Sequence, residues 1–434
     1  MDGQTQRVVV TGMGAVCSLG IDVDEIWSGV VAGRSGAARI RQFPSDSFPV
    51  RIGSEVDAAA VPLENAAGFE QYLSRAMRFG MYAMDRAWAD ARLDLCEFDQ
   101  WRAGVSVGAS TFPLLDGTLP NPRGLIDGDR YNADAYLAIC RERPELLAQR
   151  DMPSVSTILS LRHDLRGTSQ TVQSACTSAT QAIGEAFSMI QRGRADIMVT
   201  GGTDSMMSVI CVVGFTLLGA LTQRNDCPER ASRPFDLKRD GFLIGEGAGI
   251  VILEGLEHAL RRGAPIHAEM IGYGSSSDGY RFTDIHPEGV GPARCMTAAL
   301  RSAGIRPDEV DYINAHGTST PQNDRIETLA IKHAFGKDAY SVPVSSTKSQ
   351  LGHLVCAAGG IEFVLTVMAL REQTLPPTIN LEHPDPDCDL DYVREGARAV
   401  PIEIALSNSF GFGGQNGTVV VRRWGPADSA ATRS

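Results

Sequence analysis

The chain has 434 residues, 43% of them hydrophobic and 21% charged, which suits two similar-sized lobes or one large α/β unit and excludes disordered, collagen-like and coiled-coil classes. A net charge of −12, with no Lys/Arg run of five, argues against nucleic-acid binding, and no apolar run is long enough to span a membrane. Nine cysteines without a CxxC pair support neither a disulfide framework nor a zinc motif, so a reducing cytoplasm is the expected setting.

The opening MDGQTQ runs straight into VVVTGMG, without the basic region and long apolar stretch of a signal peptide. The apolar run predicts a strand over 7–10. Its glycines half-match a dinucleotide fingerprint, but the third is displaced, Cys17 stands in its place, and no acidic ribose reader follows. Helices are expected over 24–32 and 71–91, and a strand over 104–107. Residues 109–152 hold turn residues and aromatics with no clear period, which reads as a cap or interface excursion.

A strand over 171–175 (TVQSA) ends at Cys176. The amphipathic stretch AIGEAFSMIQRG follows, then a strand over 197–200 closed by Gly201 and Gly202. Strands over 248–253, 267–273 and 311–314 alternate with helices over 256–262, 292–303 and 324–335. A strand-like 341–345 then leads through TKSQLGH into the apolar run CAAGGIEFVLTVMALREQ, which stops near Pro376 and Pro377. Strands over 404–407 and 418–421 close the chain. Continuous apolar runs ending at glycine are the mark of strands buried on both faces. Strand, reactive loop and buried helix occur twice, which suggests an internal duplication within a layered α/β fold.

Cys176 lies in SACTSATQA, between a β-run and a helix. The small neighbours allow a thioester to approach, and the positive end of the helix dipole is expected to favour thiolate. Most free cysteines are buried and inert, so this position alone decides little. His316 follows a strand in NAHGTSTPQND, where Gly317 permits an unusual turn and Thr318, Ser319 and Thr320 form a polar lip. His353 lies in SSTKSQLGHL at the entry to the apolar helix, a position that disfavours imidazolium. Either histidine could instead be a structural hydrogen-bonding residue. All three candidates stand at strand ends, the edge where layered α/β folds put their sites. Lys348 is expected to pair with Glu362, since an unpaired carboxylate in an apolar helix would be costly. The stretch SNSFGFGGQNG, over 407–417, reads as a glycine-rich loop able to present N–H groups to an oxyanion or a phosphate. It lacks the Gly-Lys-Ser/Thr ending of a nucleotide loop.

Taken together, SACTSA, RPFDLKRDGFLIGEGAG, NAHGTSTPQND, SSTKSQLGH and NSFGFGG are highly specific, and the chain resembles the elongating β-ketoacyl-acyl carrier protein synthases of the thiolase-like superfamily. The resemblance runs nearly end to end. It implies a five-layer α-β-α-β-α fold of two duplicated halves, here 1–265 and 266–434, with the excursion near 109–152 shaping the acyl pocket and dimer surface. It further implies that Cys176 is the acyl-accepting nucleophile, that His316 and His353 serve decarboxylation, and that Lys348 is supported by Glu362. Thr318 and Thr320 match residues holding a phosphopantetheine arm. Phe412 matches a gatekeeper whose N–H joins that of Cys176 as an oxyanion hole, and Gly413, Phe215 and Asp278 match gating and loop positions at the substrate site. The implied partners are an acyl carrier protein and either a second copy of the chain or a homologous chain-length-factor-like subunit. No metal, cofactor, nucleic acid or membrane is implied. Thiolases pair their nucleophile with a second catalytic cysteine, and no cysteine here is expected to take that place. Three departures stand out: ASTFPLLDG after GVSVG, Gly219 where many members carry arginine, and Gln415 after GFGG.

Overall fold

The computed structural model describes residues 5–62, 72–110, 125–127, 130–142 and 153–425. Its main sheet has ten strands: β1 (Val8–Val16), β2 (Ala103–Ala109), β3 (Ser169–Val172), β4 (Ile197–Ser205), β5 (Glu246–Gly255), β6 (Ala268–Ser277), β7 (Tyr312–Asn314), β8 (Val344–Ser345), β9 (Ile404–Gly411) and β10 (Gln415–Arg423). They lie in the order β8-β7-β9-β10-β6-β1-β5-β4-β2-β3. Outward from the β1–β6 seam, each side runs first, fifth, fourth, second, third in its own chain order. β2 is parallel to β3 and β4, as β7 is to β8 and β9, and the other pairings in this sheet are antiparallel. The seam is narrow: only Val8, Val9 and Val10 pair across it, with Met270, Glu269 and Ala268.

The α-helices longer than a single turn are α1 (Val23–Val31), α2 (Arg75–Asp90), α3 (Ala133–Glu142), α4 (Pro153–Arg162), α5 (Ser178–Gln191), α6 (Val209–Leu217), α7 (Leu256–Arg261), α8 (Val290–Ala303), α9 (Pro321–Phe335) and α10 (Ala358–Glu372). α5 touches β2 and β4 on one side, β6 and β10 on the other, and α10 beside it; α10 likewise touches β4, β5, β9 and β10. These two helices therefore fill the space between the sheet halves. α2 and α4 cover the outer face of one half, while α8 covers the other with α9 packed upon it. The result is five layers, α-β-α-β-α. In α10 every residue from Ala358 to Leu370 is buried, because a helix between two sheets has no solvent face. Close packing there depends on glycine: a Cβ on Gly360 would overlap Gly249 O and lie 2.7 Å from Gly202 N, and one on Gly359 would overlap Thr180 Oγ1. Among the described residues no helix is long and apolar enough to cross a membrane.

Several strands are longer than the sequence pattern predicts. β1 continues through Gly12 and Gly14, where a Cβ would overlap the Ala87 and Ala83 carbonyl oxygens of α2. Those glycines therefore serve strand–helix contact and belong to no nucleotide turn. The stretch 407–417, expected as a loop, is mostly a hairpin, in which residues 408–411 pair with 418–415 and only Phe412–Gly414 turns. β3 ends at Val172, short of the expected 175. Within 109–152, α3 and a short hairpin (Ile126–Asp127 with Arg130–Tyr131) are described, while residues 111–124, 128–129 and 143–152 lie outside the described residues.

Candidate active site

Cys176 stands between β3 and the first residue of α5. Before it, Ala175 has φ 51°, a left-handed conformation that a non-glycine residue keeps only under constraint. Hydroxyls supply the constraint. Ser178 Oγ accepts from the Ser174 amide at 2.9 Å and donates to Ala175 O at 2.7 Å, while Thr177 Oγ1 donates to Ser174 O at 2.7 Å. Gly411 packs against this turn: a Cβ there would sit 3.1 Å from Ser174 O and 3.2 Å from Cys176 N. That approach brings the Phe412 N–H, with the N–H of Cys176 itself, to the sulfur. The N–H groups at this helix end favour the thiolate, and burial opposes them. Burial pushes the Cys176 thiol up to about 11, against the opposing pull of the Lys348 cation and the nearby N–H groups.

His316 follows β7. Its N–H and that of Gly317 both donate to the Glu327 carboxylate, at 2.8 and 2.7 Å, and its Nδ1 is buried with no partner among the described residues. His353 is anchored by its backbone, donating to Leu243 O at 2.7 Å and accepting from the Gly245 amide at 2.9 Å. The Val355 N–H donates to His353 Nδ1 at 3.2 Å, which leaves the ring proton on Nε2, a buried atom with no partner of its own. The two rings lie 5.3 Å apart at 84°. Burial, and then the Lys348 cation, hold both imidazoles well below the ordinary histidine range, so both are neutral.

The Cys176 sulfur and one nitrogen from each of His316 and His353 lie within 4.8 Å of one another. Those residue types could hold a soft metal ion. The Val355 bond opposes that use, because Nε2 of His353 offers a proton where a metal needs a lone pair. Lys348 Nζ bonds Glu362 Oε1 in the core, with side chains 3% and 1% exposed. Burial pushes the Glu362 carboxyl up to about 7 against the pull of Lys348.

The three residues line one cavity of ≈ 990 Å³, together with Thr318, Thr320, Phe215 and Phe412. The Thr318 and Thr320 hydroxyls are 3.0 Å apart, and Thr320 also caps α9 by accepting from the Asn323 amide. Phe215 meets Phe242 edge to face at 5.4 Å, and Phe242 meets His353 in the same way at 5.2 Å. Asp278 and Gly413 are not on the wall. Asp278 accepts from the His286 amide and Asn416 Nδ2, both at 2.8 Å, and donates its own N–H to Gly414 O. Gly413, at φ 81°, donates to Phe282 O at 2.6 Å. Asp278 thus braces the Phe412–Gly414 turn, and Gly413 ties that turn to Phe282. Gly219 ends α6 at φ 65°, a conformation that glycine adopts without strain. Two further cysteines, Cys211 and Cys356, are on the cavity wall, and burial raises both thiols. The pattern gave no sign of Glu327 or Phe242, which steady the two histidines.

Residues 5–259 match the model of the beta-ketoacyl synthase N-terminal domain and residues 267–382 that of its C-terminal domain. The chain is 42% identical over 429 residues to 3-oxoacyl-[acyl-carrier-protein] synthase 2 of Coxiella burnetii, covering 97% of this chain and 99% of that one. It is similar to AntDE, a type II polyketide ketosynthase solved with its acyl-carrier protein AntF and a hexaketide, with a TM-score of 0.87 and 34% identity over 97% of this chain and 100% of that one. The ishigamide ketosynthase/chain length factor gives 0.82 at 32% identity with the same coverage. The chain belongs to the beta-ketoacyl synthase family.

Proposed function

We propose that the protein condenses carrier-bound acyl thioesters with malonyl-carrier protein, using Cys176 as its nucleophile. The observation that carries this is the meeting of the Cys176 sulfur, two neutral imidazoles and the Phe412 N–H in one cavity.

An acyl chain arrives on the phosphopantetheine arm of an acyl carrier protein, which Thr318 and Thr320 hold through their hydroxyls, with Phe215 gating the acyl side. The Cys176 sulfur attacks the thioester carbon; the bond to the carrier's sulfur breaks, and the thiol proton leaves with that sulfur. The N–H groups of Cys176 and Phe412 take the negative charge on the carbonyl oxygen. Malonyl-carrier follows, and its thioester oxygen accepts hydrogen bonds from His316 and from Nε2 of His353. Those bonds stabilise the enolate left when carbon dioxide departs. The enolate carbon attacks the acyl-cysteine, the carbon–sulfur bond to Cys176 breaks, and the sulfur regains a proton. The product is a β-ketoacyl chain longer by two carbons. Lys348, steadied by Glu362, keeps both imidazoles neutral and favours the thiolate. No metal or cofactor enters this scheme, and nucleic acid and membrane have no part in it. We take residues 1–265 and 266–434 as the duplicated halves, one supplying the nucleophile and the other the histidines. A reducing cytoplasm suits nine free thiols.

The test is to incubate the protein with acyl- and malonyl-carrier proteins of varied chain length and follow the products by intact mass. Absence of an acyl adduct on Cys176 with every donor would overturn the proposal. A second reading concerns the partner, namely a homologous chain-length-factor-like subunit in place of a second copy. The likeness to the ishigamide pair favours it, and full elongation by the isolated chain would rule it out.

A further inference from the structure

Asp204, at the end of β4, takes no part in the scheme above and does not line the cavity, yet it is only 1% exposed. Its Oδ2 accepts from the Cys356 N–H at 2.9 Å, and its Oδ1 accepts from Ser110 Oγ at 2.6 Å and the Ser205 N–H at 2.8 Å. Next to Cys356 stands Val355, at φ 46°. A β-branched residue in the left-handed region is a genuine outlier, kept only where its surroundings over-determine it. Two peptide planes flank the Val355 Cα. The first carries the N–H that bonds His353 Nδ1, and the second carries the N–H that bonds Asp204. Fixing the second plane fixes how far the first can turn, and so where its N–H points.

We propose that Asp204 is a positioning residue for decarboxylation: it holds the Val355–Cys356 peptide, maintains the strained turn, and so aims the His353 ring. The proposal rests on the condensing role given to the site above. The His353 backbone is tied separately to Leu243 and Gly245, so loss of Asp204 releases the ring's support without dislodging the residue. Asp204 belongs to the strand bank that carries β3 and Cys176, whereas the segment it steadies leads into α10.

The experiment compares Asp204→Ala and Asp204→Asn with the unaltered full chain in two measurements on the same samples. Acylation of Cys176 is read by intact mass, and decarboxylation by conversion of malonyl-carrier to acetyl-carrier. Asp204→Ala should slow decarboxylation on the order of tenfold to a hundredfold while acylation stays within about threefold, since small misplacement of an aligned group carries losses of that size. Asp204→Asn should fall between, because its single amide oxygen can serve the Cys356 N–H or the Ser205 N–H but not both. Equal loss of both steps would mark a general loss of folding and overturn the proposal, as would unchanged decarboxylation. If the alanine variant does not fold, the ratio of the two rates in Asp204→Asn decides. Failure of the unaltered chain to acylate would overturn the condensing reading, whereas normal decarboxylation in both variants overturns only the role of Asp204.

Discussion

The Lys348 ammonium and the Glu362 carboxylate meet inside the core, Lys348 on the turn after β8 and Glu362 on α10. Removing one partner leaves an uncompensated charge where water cannot reach it. Glu362→Gln should lower unfolding stability by about 3–5 kcal/mol, read from urea midpoints. The double change Lys348→Met with Glu362→Leu should recover most of that stability, since an apolar pair fills the same space. Its condensing activity should stay low, because the cation that biases Cys176 and both histidines is gone.

His316→Ala and His353→Ala should each still form the acyl adduct on Cys176. Both should lose malonyl decarboxylation by roughly a hundredfold or more, the usual effect of deleting one preorganised donor. Intact mass reports the adduct and released carbon dioxide reports the second step. Unimpaired carbon dioxide release in both variants would remove the histidines from the mechanism.

With its thiol pushed up to about 11, Cys176 is almost wholly protonated at neutral pH. The thiolate is the reactive form, so alkylation by iodoacetamide should rise roughly tenfold per pH unit from about pH 7 to pH 10. Labelling followed by peptide mapping measures this at Cys176 alone. A plateau near neutrality would mean that Lys348 and the N–H groups outweigh burial.

Gly411→Ala tests the oxyanion hole without touching a catalytic side chain. The added methyl would press on Ser174 O and Cys176 N, and backbone there must yield by a few tenths of an ångström. Acylation should slow roughly tenfold, less than full loss of an oxyanion donor, while the melting temperature changes little. A variant acylating at the original rate would show that the turn tolerates the displacement.

Much of the site was legible because each reactive residue stands where an apolar run stops. SACTSA, NAHGTST and QLGHL all mark strand-to-helix transitions, and Lys348 with Glu362 followed from the cost of a lone carboxylate in an apolar helix. Glu327 and Asp204 were not legible. In PQNDRIET and GGTDSM each looks like ordinary polar surface, and only the tertiary arrangement buries it against an N–H group. Glycine misled in the other direction. Gly12, Gly14 and Gly411 look like turn residues, yet they lie in strands that approach a neighbouring backbone, and glycine signals both uses equally. The opposing weight of burial on the thiol was not legible, because a helix end is visible in a pattern whereas depth of burial is not. Asp278 lies next to the Phe412 turn in space, which a motif match could not separate from a place on the cavity wall.

Only three residue pairs cross the seam between the two sheet banks, too few to set their spacing. What seats α10, the helix after His353, against α5, β4 and β5 is the close approach of Gly359 to Thr180 and of Gly360 to Gly202 and Gly249. A methyl group added there would push α10 off its seat behind His353, although none of these residues lines the cavity.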